Sequence, residues 1–238
     1  MNITISSSKE ELAEDFAEYL LQLSETGEQV HVALSGGSTP KAIFDFIAEN
    51  LGETIQWKNI HLYWGDERCV PPTDSESNFK MTVDHLLSKI EMPESNIHRV
   101  LGENDPASEA VRYGALLEKN LPKNEGIPQF DLVMLGMGDD GHTVSIFPNA
   151  IELWDAEENC VVATHPDSGQ KRVTITGKIV NNAKAVAFLV TGKNKAEKLE
   201  EIIYEHGDFE SYPASLVKPK SGNLIWYVDE EAAANLEV

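Results

Sequence analysis

The strongest constraint on the fold is a repeated order of three segments: a short apolar run, a polar turn rich in glycine, and an amphipathic run. The apolar runs, which we predict to be strands, lie at residues 31–34, 60–64, 131–135, 185–190 and 224–228. Helices are predicted after Pro40 and at 79–90, 195–204 and 230–236. This alternation predicts an α/β fold, with a mainly parallel sheet and helices on both faces.

The length and composition allow one large hydrophobic core. The chain has 238 residues, of which 41% are hydrophobic, and one α/β domain of this size is ordinary. Glycine and proline are dispersed, so no linker marks a boundary. We therefore predict a single domain over residues 1–238.

The formal charge of −21 narrows the choice of partners. Such a charge opposes binding to nucleic acid and to anionic membranes. Two cysteines, no signal-peptide pattern and no apolar run of membrane-spanning length favour a cytoplasmic protein. No cofactor is predicted, because the glycine turns match neither a P-loop nor a dinucleotide fingerprint. The sequence does not separate a monomer from a small homo-oligomer.

The turn after the first predicted strand is a candidate phosphate site. Ser35, Gly36, Gly37, Ser38 and Thr39 combine hydroxyl donors with two glycines at the start of a helix. Backbone N–H groups in such a turn can approach an oxyanion closely. A capped turn with nothing bound is the alternative interpretation.

The turn after the second predicted strand carries three adjacent charges, at residues 66–68. Asp66 can hold sugar hydroxyls, and Arg68 can bind an anion or a developing oxyanion. The alternative is a solvated turn with a local ion pair. Cys69 is interpreted as a packing residue, since no base is marked as its partner.

The most informative turn, residues 136–148, follows the most apolar strand. Asp140 can orient His142, and imidazole is a side chain that suits a general base near neutral pH. A surface histidine is the alternative, and no spacing of further ligands predicts a metal. Ser145 is a weaker candidate nucleophile, and the role of His165 is left open.

Basic residues beside these turns can supply an anion pocket in an otherwise acidic chain. Lys171 and Arg172 precede a strand-like segment, and Lys195 follows the Thr191–Gly192 turn. For any single lysine among them, ordinary surface charge is the preferred interpretation. Together with Arg68 they predict a binding site for an anionic ligand.

Six segments carry a resemblance to a known family. They read LSGGSTP at 34–40, WGDER at 64–68, LGMGDDGHT at 135–143, SIFP at 145–148, KRVT at 171–174 and TGKNKA at 191–196. The chain resembles the 6-phosphogluconolactonases, within a wider group that also holds the glucosamine-6-phosphate deaminases. The resemblance extends from about residue 32 to residue 229.

The resemblance implies a Rossmann-like fold and metal-independent hydrolysis of a sugar phosphate lactone, a reaction of the oxidative pentose phosphate pathway. It implies that His142 is the base and that Ser38, Arg172 and Lys195 lie near the phosphate, with Asp66 and Arg68 at the sugar end. Deaminases carry a glutamate five positions after the histidine, where this chain has Phe147. A noncatalytic sugar-phosphate sensor is a further alternative, but no DNA-binding segment is recognisable.

Overall fold

A computed structural model describes residues 2–237. The strands are β1 (Asn2–Ser6), β2 (Val30–Leu34), β3 (Ile60–Trp64), β4 (Asp66–Arg68), β5 (Ile97–His98), β6 (Lys123–Asn124), β7 (Ile127–Pro128), β8 (Leu132–Leu135), β9 (Cys160–Thr164), β10 (Lys171–Ile175), β11 (Ala185–Val190) and β12 (Leu224–Asp229). The α-helices are α1 (Lys9–Ser24), α2 (Ser38–Asn50), α3 (Asn78–His85), α4 (Pro106–Asn120), α5 (Gly177–Val180) and α6 (Ala196–Ile203).

Seven of the strands form a parallel sheet in the order β1-β12-β11-β8-β2-β3-β5. From β2 the chain moves outward through β3 to β5, and it then returns to β8 on the other side of β2. The direction of winding therefore reverses between β2 and β8. Crevices at such a switch point, beyond the carboxyl ends of the strands, are where α/β sheets bind ligands.

Both faces of the sheet are covered, which confirms the predicted α/β class. Every residue of β8 and β11 is buried, as expected for central parallel strands. Helix α1 packs against α2 and β12, whereas α4 packs against β9 and β10. The hydroxyl of Tyr113 in α4 bonds both backbone groups of Trp64, and so fixes the end of β3 beside the crevice.

A second, antiparallel sheet in the order β4-β10-β9 was not expected. It corrects the prediction that residues 66–68 form a turn, because these residues pair with β10 as strand β4. Backbone pairing with a segment about 100 residues away cannot be detected from a local pattern.

Three predicted helices differ from the structure in their extent. The helix predicted at 79–90 ends at His85, and a 3-10 turn follows Leu86. The helix predicted at 195–204 is α6, preceded by a 3-10 turn. Residues 230–235 form successive turns instead of the predicted C-terminal helix. Between residues 2 and 237, no helix has the length and apolarity needed to cross a bilayer.

Three histidines stack at the opposite end of the sheet from the crevice. The rings of His31 and His61 are 5.0 Å apart and those of His61 and His98 are 5.4 Å apart, with Tyr63 4.4 Å from His98. His61 Nδ1 lies 3.1 Å from His98 Nε2, and its Nε2 lies 2.6 Å from Gln29. Burial lowers the pKa of all three imidazoles, and it lowers that of His98 to about 4.

This cluster predicts acid sensitivity of the fold. Unfolded histidines bind protons near pH 6.5, whereas the folded His31, His61 and His98 resist protonation, so stability is lost as the pH falls from about 6.5 towards 4. We expect the free energy of unfolding to fall by about 1–2 kcal/mol between pH 7.5 and 5.0, after allowance for solvent screening. Urea unfolding of His98→Gln should show a smaller fall, whereas His206→Gln, at an exposed position, should match the parent. An unchanged fall in His98→Gln would contradict this account.

Candidate active site

A cavity of about 260 Å³ opens at the switch point, beyond the carboxyl ends of β2, β3, β8 and β11. Ten of the residues predicted from the sequence line it: Ser35, Gly36, Gly37, Ser38, Thr39, Asp66, Arg68, His142, Arg172 and Lys195. Segments far apart in the chain thus meet at one edge of the sheet. Asp140 lies directly behind His142, and only Lys171 lies elsewhere.

The side chain of His142 is held by Asp140. Its Nδ1 lies 2.6 Å from Asp140 Oδ1, and its backbone N–H donates to the same oxygen at 3.0 Å. Desolvation opposes ionisation of Asp140, but the hydrogen bonds and charge of His142 outweigh it and hold the pKa of Asp140 at about 2. An ionised carboxylate at Nδ1 favours the tautomer that carries its proton there, which leaves Nε2 free to accept a proton.

Gly138 provides the space for this pair. A Cβ atom at residue 138 would lie 2.1 Å from Nδ1 of His142 and 2.5 Å from Oδ1 of Asp140. Gly141, at a φ of +82°, completes the turn, where a Cβ would meet the ring of Tyr212 at 2.6 Å. The glycines therefore determine where the imidazole lies.

Replacing Gly138 by alanine should displace His142 from Asp140. We expect the rate of any reaction in which His142 acts as the base to fall by about 10-fold or more, because a misplaced base loses its productive geometry. Steady-state kinetics on the sugar phosphate lactone that the family resemblance implies would measure this. Gly114→Ala is the matched control, since a Cβ there meets its nearest neighbour at an ordinary 3.6 Å. Equal activity in both variants would contradict the role of Gly138.

Arg68 and Arg172 face each other across β4 and β10. They are direct partners in the antiparallel register, so their side chains lie on the same face of the strand pair, and both line the cavity. Arg172 lies 5.6 Å above the ring of Phe147, and burial lowers the pKa of its guanidinium. Two adjacent guanidiniums form a strong site for an oxyanion.

A buried hydroxyl connects Arg172 to Asp66. Ser145 is fully buried, and its Oγ donates to Asp66 Oδ2 at 2.5 Å while it accepts from Arg172 Nη1 at 3.4 Å. The preceding residue, Val144, has a φ of +47°, which is uncommon for a β-branched side chain. Ser145 is thus inaccessible as a nucleophile, and instead it aligns an acidic and a basic group of the cavity.

Glu67 stabilises the segments that carry the site, a role that the sequence did not indicate. Its buried carboxylate accepts hydrogen bonds from the backbone of Arg68, Asn78 and Phe79, and from the hydroxyl of Ser77. Burial raises the pKa of Glu67 although these donors oppose the rise. The carboxylate therefore joins β4 to the start of α3 and fixes Asn78.

The side chain of Asn78 lies against the glycine-containing turn at residues 35–39. Its Nδ2 donates to the carbonyl of Asp66 at 3.0 Å, and a Cβ at Gly36 would lie 1.9 Å from its Oδ1. Only glycine fits at residue 36. The requirement for glycine at this turn thus comes from a tertiary contact that a local reading of the sequence cannot detect.

The start of α2 presents free donors to the cavity. The helix begins at Ser38 and its N-cap is Gly37. No side chain caps this end, so first-turn N–H groups remain available to an anion. A hydrogen bond of 2.7 Å between Thr39 and Thr191 joins this turn to the end of β11.

Lys171 lies outside the site, contrary to the prediction. It is exposed and donates to Thr164 at 2.8 Å, and it does not line the cavity. Successive side chains of a strand point to opposite faces, so Lys171 and Arg172 cannot both enter the cavity from β10. Lys195, in contrast, lines the cavity and pairs with Asp139.

The remaining candidate side chains, Cys69 and His165, occupy packed positions and do not line the cavity. Cys69 is half-buried, and burial together with the charge of Glu67 raises the pKa of its thiol to about 11, which disfavours a nucleophilic thiolate. His165 packs edge-on to Phe147 at 5.1 Å, behind the cavity. Across residues 2–237, no three His, Cys, Asp or Glu side chains converge as metal ligands would.

The fold and the site together define an α/β protein whose sheet edge carries an oriented histidine, two adjacent guanidiniums and an uncapped helix start around one cavity. A comparison with known protein families identifies a match over most of the chain. The family model described as glucosamine-6-phosphate isomerases/6-phosphogluconolactonase matches residues 5–226. The chain therefore belongs to this family.

Two curated relatives that the chain matches are both 6-phosphogluconolactonases. One, from Haemophilus influenzae, is 42% identical over 96% of this chain and 95% of its own length. The other, from Treponema pallidum, is 49% identical over 74% of this chain and 73% of its own. The solved structure of 6-phosphogluconolactonase from Trypanosoma brucei superposes with a TM-score of 0.86 at 27% identity, covering 99% of this chain and 98% of that one.

Proposed function

We propose that this protein hydrolyses 6-phospho-D-glucono-1,5-lactone to 6-phosphogluconate, in the oxidative pentose phosphate pathway. One observation carries the proposal: a histidine with a free Nε2 shares a cavity with two guanidiniums and an uncapped helix start. The first group suits activation of water, and the others suit the substrate's phosphate and developing negative charge. The names of the two curated relatives support the same reaction.

His142 acts as the general base. Its neutral Nε2 accepts a proton from a water molecule as the water oxygen attacks the lactone carbonyl carbon. The resulting imidazolium is stabilised by the ionised Asp140 at Nδ1. When the tetrahedral intermediate collapses, the C1–ring oxygen bond breaks and His142 returns the proton to the departing oxygen. A positioned base of this kind contributes about 10²–10⁴-fold.

The phosphate is held by Ser38, the N–H groups at the start of α2, Arg172 and Lys195. All of these groups line one cavity with His142. Charge-assisted hydrogen bonds fix the orientation of a ligand as well as its affinity. Anchoring the phosphate thus holds the lactone carbonyl near the base, and converts attack by water into an oriented reaction.

Arg68 stabilises the oxyanion that forms on the carbonyl oxygen. One of its terminal nitrogens donates to the carbonyl of Glu76, while its Nε has no hydrogen-bond partner within residues 2–237. A cation held in this way costs little reorganisation when negative charge develops. Asp66, aligned by Ser145, is placed to accept hydrogen bonds from sugar hydroxyls.

The presence of Phe147 beside His142 disfavours deamination in this site. Its ring is buried and packs 4.6 Å from the imidazole of His142. The position therefore offers no proton-transferring group to the histidine. Solved relatives include a glucosamine-6-phosphate deaminase at 22% identity, a level that shows the shared fold alone.

The proposal is tested by acid release from freshly prepared lactone, followed beside a blank that records spontaneous hydrolysis. We expect the protein to accelerate release well above the blank and to release no ammonia from glucosamine 6-phosphate. Ligand-induced stabilisation with no acceleration would instead indicate a noncatalytic sugar-phosphate sensor.

A further inference from the structure

Lys195 differs from the other cations of the cavity, because it is already paired with a carboxylate. Its ammonium forms an ion pair with Asp139 Oδ1, and Asn194 Nδ2 donates to the same oxygen at 2.8 Å. The Lys195 side chain is 18% exposed, whereas that of Asp139 is 66% exposed. The hydrogen bond from Lys195 also lowers the pKa of Asp139, so the carboxylate is ionised.

Arg68 and Arg172 have no such partner within residues 2–237. Their side chains donate instead to neutral oxygens. Arg68 donates to the carbonyl of Glu76, and Arg172 donates to the hydroxyl of Ser145 and the amide oxygen of Gln170. An incoming anion therefore meets two guanidiniums directly. At Lys195 it must first replace the exposed carboxylate of Asp139.

We propose that Asp139 is an exchangeable counter-ion, which competes with the ligand's phosphate for Lys195 and so weakens the binding of phosphorylated ligands. The inference rests on the proposed function, because it assumes that the cavity binds a sugar phosphate. A phosphate monoester carries close to two negative charges and three acceptor oxygens, so it can outcompete a single carboxylate. A ligand with one weak negative charge cannot. The same competition speeds the release of the phosphorylated product.

The test is the dissociation constant of 6-phosphogluconate measured by titration calorimetry. Asp139→Asn keeps the size of the side chain and its acceptor for Asn194, but removes the charge. Because an exposed ion pair contributes modestly, we expect the variant to bind 6-phosphogluconate about two- to fivefold more tightly. Inorganic phosphate should inhibit the variant more strongly by a similar factor. The KM for unphosphorylated gluconolactone should not change.

Two further variants make the result specific. Glu125→Gln removes the same charge from an exposed pair with Lys220 that does not line the cavity, and it should leave affinity at the parent value. In a Lys195→Met background, Asp139→Asn should no longer tighten binding, because the two residues act through one contact.

Several results would overturn the inference. Weaker binding in Asp139→Asn would show that the carboxylate positions Lys195 for the ligand. An equal gain in Glu125→Gln, or a gain that persists without Lys195, would assign the effect to net charge. Parent protein that neither binds 6-phosphogluconate nor hydrolyses the lactone would reject the proposed function and this inference together. Failure of Asp139→Asn alone would reject only the inference.

Discussion

His142→Ala is expected to lower the turnover number for 6-phosphogluconolactone by about 10²–10⁴-fold, the contribution of a positioned general base. The reason is the geometry of the pair: Asp140 holds Nδ1 at 2.6 Å and leaves Nε2 for water. Binding of 6-phosphogluconate should change little, because the phosphate contacts lie elsewhere in the cavity. Stopped-flow or pH-indicator kinetics, corrected for spontaneous hydrolysis, would measure the rate.

Two comparisons sharpen this result. Asp140→Asn should give an intermediate loss, since the imidazole remains but its tautomer and its protonated form lose their support. His206→Ala should retain the parent rate, because His206 pairs with Glu200 and does not line the cavity. Near-parent turnover in His142→Ala would reject the role of the histidine.

Arg172→Ala is expected to reduce kcat/KM for the phosphorylated lactone by about 10²-fold, while glucono-1,5-lactone loses less than about threefold. The guanidinium is half-buried between Phe147 and Ser145, so its loss removes a partly desolvated charge from the proposed phosphate site. Parallel kinetics on the two lactones would measure the difference in discrimination.

Lys171→Ala is the natural control for Arg172. The two basic residues are adjacent in sequence, but only Arg172 reaches the cavity. The control should therefore keep both rates at the parent value. Equal losses on both substrates in Arg172→Ala would show that the residue supports the fold and does not select for phosphate.

The sheet and the edge that carries the site could be predicted from the sequence. Fully apolar runs such as 185–190 identify strands buried on both faces, and parallel strands place the turns that follow them at one edge. This geometry is enough to bring Ser38 and His142 together, although they lie more than 100 residues apart.

The features of the site that the sequence did not indicate depend on contacts between distant segments. The pairing of β4 with β10 places Arg68 opposite Arg172, and no local pattern indicates that register. Glu67 sits between two charged residues, yet it is a buried anchor for the start of α3. The same limit applies to Asn78, whose neighbour Gly36 comes from another loop.

Two misses could have been avoided. Alternation along a strand separates Lys171 from Arg172 and excludes one of them from the site. Helix α1 was not predicted, although Ser8 and Glu11 form a capping pattern before Leu12 and Phe16. Both signals are local: the first is the alternation of side chains along a strand, and the second is a capping pattern followed by apolar residues at helical spacing.

The crystal structure of the protein with 6-phosphogluconate tests the central claim most directly. We predict that the phosphate contacts Arg172 and the start of α2, and that the carboxylate formed from the lactone carbonyl lies within about 3.5 Å of His142 Nε2 or of a water bound to it. A phosphate bound beside His142, with the carboxylate directed towards Arg172, would contradict the account.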